Sequence, residues 1–159
     1  SVLSRKAIQL TCLGVADTYQ SCESLQNYLV DPDNRSAANF EALAATASAL
    51  ATRAPEGLAE EKQHLTRAIL RLRRRVPDAF VGPHAAYRPL PASTGHAVCF
   101  ARGEEPQVVT VAARLNRVIE NHGFTEHTVV LPEGRWRDVL TGVRFDGGSV
   151  LIAILLVFS

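Results

Sequence analysis

Asp31, Asp33, Asn34 and Arg35 bring two carboxylates, an amide and a guanidinium within five positions, with Pro32 fixing the turn between them. Such a loop satisfies its own backbone through Asx turns and still presents polar groups outward. Grouped hydrogen-bond formers of this kind suit a ligand rich in hydroxyls. A plain loop ahead of a helix uses the same residues, so the pattern alone leaves both readings open. A dozen residues upstream, Asp17, Tyr19, Gln20 and Glu23 extend the polar set. His64, His84, His96, His122 and His127 show no metal-ligand spacing, so neither a metal nor a cofactor is expected. Cys12, Cys22 and Cys99 stand outside any C-x-x-C spacing and read as buried thiols of a reducing cytoplasm.

The elements that must carry these residues follow from periodicity. Residues 1–12 are apolar at alternating and helical spacings and read as an element leading into a strand end near Gly14. Residues 13–39 lack sustained periodicity and form a long loop, a length that is usually functional or disordered. A helix starts at the N-cap Asn39, with Phe40, Leu43, Ala47 and Leu50 on one face. Ala54-Pro55-Glu56-Gly57 breaks it. Leu58, Leu65, Ile69, Leu72 and Val76 then make one apolar stripe, and Pro77 stops that helix. Arg67, Arg71, Arg73, Arg74 and Arg75 lie mostly off the stripe and read as a solvated face.

From Phe80 the period changes to two. Short β-rich runs are expected at 97–101, 108–111, 128–131, 136–140 and 150–158, with a hairpin at Leu131–Trp136 and a tight turn at Asp146-Gly147-Gly148. Val150–Phe158 is continuously apolar, but far short of the roughly 20 residues of a membrane-spanning helix. A buried strand fits it better. Trp136, on a strand beside Val139, reads as core before it reads as a sugar platform.

The 159 residues are 47% hydrophobic and 21% charged, an ordinary globular composition. A net charge of +1 gives no electrostatic reason to expect nucleic acid or an anionic membrane as partner. With no methionine, the chain is expected to begin inside a longer reading frame.

The order of motifs carries a resemblance. Gly14-Val15-x-Asp17-x-Tyr19-Gln20-x-x-Glu23 is similar to the end of the eighth barrel strand in the α-amylase family of glycoside hydrolases. Leu29-Val30-Asp31-Pro32-Asp33-Asn34-Arg35 resembles the signature of that family's maltooligosyl trehalose synthase branch. Leu70–Pro77, Tyr87-Arg88-Pro89-Leu90 and Leu131–Gly142 follow in the matching order. Departures cluster at the loop: Leu13 and Ala16 replace prolines, Ser21 stands where a glycine follows Tyr-Gln, and Ser36–Asn39 differ. A serine forced to φ > 0 there costs about 1 kcal/mol.

The resemblance implies a mixed fold, α/β plus all-β. Residues 1–78 would be the C-terminal remnant of a (β/α)8 TIM barrel, its last strand and helices, and residues 79–159 a small antiparallel β-sandwich. It implies an intramolecular transglucosylase acting on maltooligosaccharides, with the missing N-terminal barrel as partner. Retaining chemistry of this kind needs two carboxylates about 5–5.5 Å apart. The resemblance puts them on earlier strands, so no catalytic residue is assigned here and the chain alone is expected to be inactive. Asp31, Asp33, Arg35, Tyr19, Gln20 and Glu23 are the implied substrate-binding residues, on the loop at the barrel mouth. Two other readings remain: a non-catalytic carbohydrate-binding or interface module, and another α-amylase-family glycosidase.

Overall fold

A computed structural model describes residues 1–25, 37–114 and 124–156. Its helices are α1 (Val2–Thr11), α2 (Phe40–Ala49), α3 (Gly57–Arg75) and a final turn α4 (Ile152–Leu155). Strands β1 (Tyr87–Pro89), β2 (Ala97–Arg102) and β3 (Val108–Ala113) form one antiparallel sheet, in that order. Strands β4 (Thr128–Arg137) and β5 (Arg144–Leu151) form a second.

Alternation along β3 makes three layers of these pieces. Val108, Thr110 and Ala112 are buried toward the helices. The Thr110 and Thr11 hydroxyls are hydrogen-bonded at 2.9 Å, and Val108 packs with Ala79, Phe80, Leu72 and Val76. The opposite face, Val109, Val111 and Ala113, packs with Cys99, Val129, Leu131 and Ile152 between the two sheets. A strand with both faces covered reads as a near-continuous apolar run, and 108–113 is broken only by Thr110.

Capping and stop signals locate the helices. The Asn39 side chain accepts from Ala42 N at 3.0 Å, so α2 begins where an N-cap was expected. On α3, Leu65 and Ile69 bury against Leu10 of α1 and Leu140. Pro77 ends α3 in a 3-10 turn, Pro77–Ala79.

Five expectations need correction. Within 1–12, Val2–Thr11 forms a helix, not an approach to a strand, and among the described residues 13–25 form neither helix nor strand. A barrel strand needs flanking strands to take its N–H and C=O groups, and the described residues place none beside 13–25. Leu131–Trp136 is no hairpin: β4 runs through it, with a bulge between Leu131 and Arg135. Asp146-Gly147-Gly148 is correspondingly inside β5, not a turn. The true turn lies at 138–143, where Asp138 accepts from Leu140 N (2.8 Å) and from the Thr141 hydroxyl (2.7 Å). The apolar tail is strand only to Leu151; one helical turn follows, and residues 157–159 lie outside the described residues. Phe40, assigned to the packed face of α2, is 61% exposed. Hydrogen bonds attach α2 instead, from Gln63 to Leu43 O (2.7 Å) and from Arg67 to Ala47 O (2.6 Å).

Candidate functional site

Of the six binding candidates, Tyr19, Gln20 and Glu23 lie in the described part of the loop; Asp31, Asp33 and Arg35 lie outside the described residues. Two helices hold the loop from below. Lys6 of α1 donates to Gln9 Oε1 (3.1 Å) and to Cys22 Sγ (3.4 Å), and Gln9 donates to the Asp17 carbonyl. Lys62 of α3 donates to Ser24 O at 2.6 Å. Between these anchors two overlapping turns close, Cys22 N to Tyr19 O and Ser24 N to Ser21 O, each at 3.1 Å.

Ser21 sits at φ +60°, in the left-handed region that favours glycine. Among the described residues it is the one non-glycine residue with positive φ. Its side chain is buried, and among the described residues its Oγ has no hydrogen-bond partner. The strain expected of a serine in this turn is therefore present.

The charges under the loop are unequal. Lys6 is buried at 5% exposure, and burial pushes the Lys62 ammonium below its usual range, with repulsion from Lys6 next. Cys22 and Glu23 oppose that shift. Glu23, half-buried, thus supplies counter-charge beneath the loop. Tyr19, 57% exposed, and Gln20, also exposed, remain facing solvent. Ser21, Ser24 and Leu25 face Asn39, Leu43 and Gln63 across a cavity of about 460 Å³. The arrangement can offer a phenol and an amide to a polar ligand.

Lys6, Gln9 and Lys62 were not singled out in the sequence. A lysine on an amphipathic helix usually reaches water, and only the packing of α1 on α3 turns these two inward.

A second cavity, about 510 Å³, lies between α1 and α3 on one side and β4 on the other. Tyr19, Gln20 and Glu23 do not line it. Trp136 borders it, but packs into the core between the sheets and donates Nε1–H to Pro132 O at 2.8 Å. It pins the bulge. Among the described residues no three His, Cys, Asp or Glu side chains gather as a metal site, and no helix is long and apolar enough to cross a membrane.

The chain matches no protein-family model. Two Mycobacterium tuberculosis proteins, each assigned as a maltooligosyl trehalose synthase, are 35% identical to it over 158 residues, or 96% of this chain. Structures of maltooligosyltrehalose synthase from Arthrobacter ramosus, including a single-site mutant, superpose on 97% of the chain with a TM-score of 0.84 at 32% identity. The match takes in only 19% of each mycobacterial protein and 20% of each solved chain. The chain thus has the helix-and-sheet build of one portion, about a fifth, of a larger enzyme. It is homologous to the maltooligosyl trehalose synthases, and a C-terminal portion of such an enzyme fits it.

Proposed function

We infer that the chain serves as the C-terminal portion of an intramolecular transglucosylase, an isomerase of trehalose biosynthesis. The whole enzyme would convert the reducing-end α-1,4 link of a maltooligosaccharide into an α,α-1,1 trehalose link. One observation carries the reading: identity of 35% is sustained over 158 residues rather than confined to one motif.

On this reading residues 1–78 complete a (β/α)8 barrel supplied mainly by an upstream N-terminal portion, and residues 79–159 form a C-terminal antiparallel sandwich. The loop 13–39 lies on the active face, where substrate-positioning groups sit. Tyr19 and Gln20 line the sugar site; Asp31, Asp33 and Arg35 hydrogen-bond its hydroxyls or brace one another. Glu23 supports the loop through Lys62, consistent with its effect on that ammonium. The reacting carboxylates belong to the upstream strands, so the chain alone turns nothing over. A cytoplasmic location agrees with the free thiols of Cys12, Cys22 and Cys99.

The test has two parts. The chain alone, given maltopentaose, should leave the concentration of reducing ends unchanged; loss of reducing ends would contradict the missing-catalyst reading. NMR titration with the same sugar should shift resonances at Tyr19 and Gln20. Shifts confined to residues 79–159 would favour a carbohydrate-binding sandwich module, and no shifts at all would remove both binding readings.

A further inference from the structure

The arginine run of α3 does not remain a uniform solvated face. Arg67 and Arg73 turn to backbone carbonyls, Ala47 O at 2.6 Å and Leu10 O at 2.8 Å. Arg71 and Arg75 follow Arg67 at four-residue steps, which keeps all three on one flank of the helix. Facing them is Arg137, at the end of β4. These four arginines share a cavity of about 460 Å³, closed by Leu50 and Ala51 after α2 and by the turn 139–142.

Among the described residues no acidic side chain lines this cavity. Arg53 pairs with Glu60, and His84 contacts Glu104, both away from this cavity. Asp138, the acid of the neighbouring turn, already accepts from Leu140 N and the Thr141 hydroxyl. Converging cations in a concave surface focus a positive potential that a flat basic face does not. The C-terminal end of α3 opposes an anion, but with only about half a charge against four whole ones. Guanidinium forks match the spacing of oxyanion oxygens.

We propose that this groove binds a phosphate group, held by Arg71, Arg75 and Arg137 with Arg67 behind them. A phosphate dianion answers more of the converging charge than a single carboxylate does. The cavity leaves room for the organic body of a small phosphate ester. The site is separate from the Tyr19–Gln20 loop, and it stands or falls independently of the sugar reading.

Calorimetric titration of the 159-residue chain with inorganic phosphate at low salt tests the site. One saturable site is expected, weakened at least tenfold in Arg71→Gln/Arg75→Gln and in Arg137→Gln, and weakened as salt rises. Arg71, Arg75 and Arg137 are exposed, so these variants should keep the parent circular dichroism spectrum. Arg74→Gln, which removes a cation outside the groove, should bind as the parent does. A hexose monophosphate binding more tightly than free phosphate would identify an ester as the ligand; equal binding would identify the free ion. Either result supports the site. Absence of saturable phosphate binding, binding only of an acidic peptide, or equal weakening by Arg74→Gln would overturn it.

Discussion

At residue scale the most informative position is Ser21. A β-carbon at φ +60° is disfavoured, and among the described residues the buried Oγ finds no hydrogen bond in return. Ser21→Gly should therefore raise stability by about 0.5–1 kcal/mol, measurable as a higher denaturant midpoint with an unchanged slope. Lower stability in the glycine variant would show that the turn does not depend on φ. Cys99 makes a second residue-level case. It is 8% exposed, and burial pushes its thiol up to about 11. At pH 8 iodoacetamide should label Cys12 and Cys22, both half-buried, well before Cys99, as read by mass spectrometry.

At element scale, the bulge of β4 explains a glycine that resembles a turn in the sequence. A β-carbon on Gly147 would collide with the backbone of Pro132 and Glu133 on the bulged strand. Gly147→Ala should cost about 1–3 kcal/mol by forcing those strands apart. A neutral outcome in chemical denaturation would mean that the bulge yields at little cost. The α2–α3 connection depends on Glu60, which accepts two hydrogen bonds from Arg53 at 2.6 Å and one from Glu56 N at 2.8 Å. The Arg53 guanidinium, with help from Glu56 N–H, holds its carboxyl at about 2, against an ordinary 4.5. The folded state then binds fewer protons than the unfolded one between those values, so stability rises with pH across that window. The stability gap between the parent and Glu60→Gln should be full above pH 4.5 and vanish as pH falls through about 2. A gap independent of pH would exclude the carboxylate as its source.

At the scale of the whole molecule, the layers depend on a few contacts between the helices and β3. Leu10 is fully buried against Leu65 and Ile69, and its carbonyl receives Arg73. Leu10→Ala should cost about 3 kcal/mol and loosen α1 from α3, exposing the amides of both helices to faster hydrogen exchange. Buried Arg102 ties the layers in a different way. At 1% exposure it donates to the carbonyls of Ala79, Phe80 and Ala85, joining β2 to the end of the helical layer.

Local signals were legible in the sequence wherever one residue decides the matter. Asn39 caps a helix because its side-chain oxygen reaches an N–H three residues on, and Pro77 stops one because it has no N–H to give. The apolar stripe of α3 and the alternating burial along β3 likewise follow from side-chain periodicity. Other features depend on partners distant in sequence. Tyr87–Pro89 is a strand because Phe100–Arg102 pairs with it, and Gly147 belongs inside a strand because a bulge faces it. Lys6 turns inward because α3 covers it, and Arg71 and Arg137 line one cavity because β4 returns near the helix. The kinship with a trehalose-forming synthase resided in the order of motifs along the chain. The supports beneath the loop and the convergence of arginines were decided only by tertiary structure, since burial and the meeting of like charges depend on which surfaces the folded chain brings together.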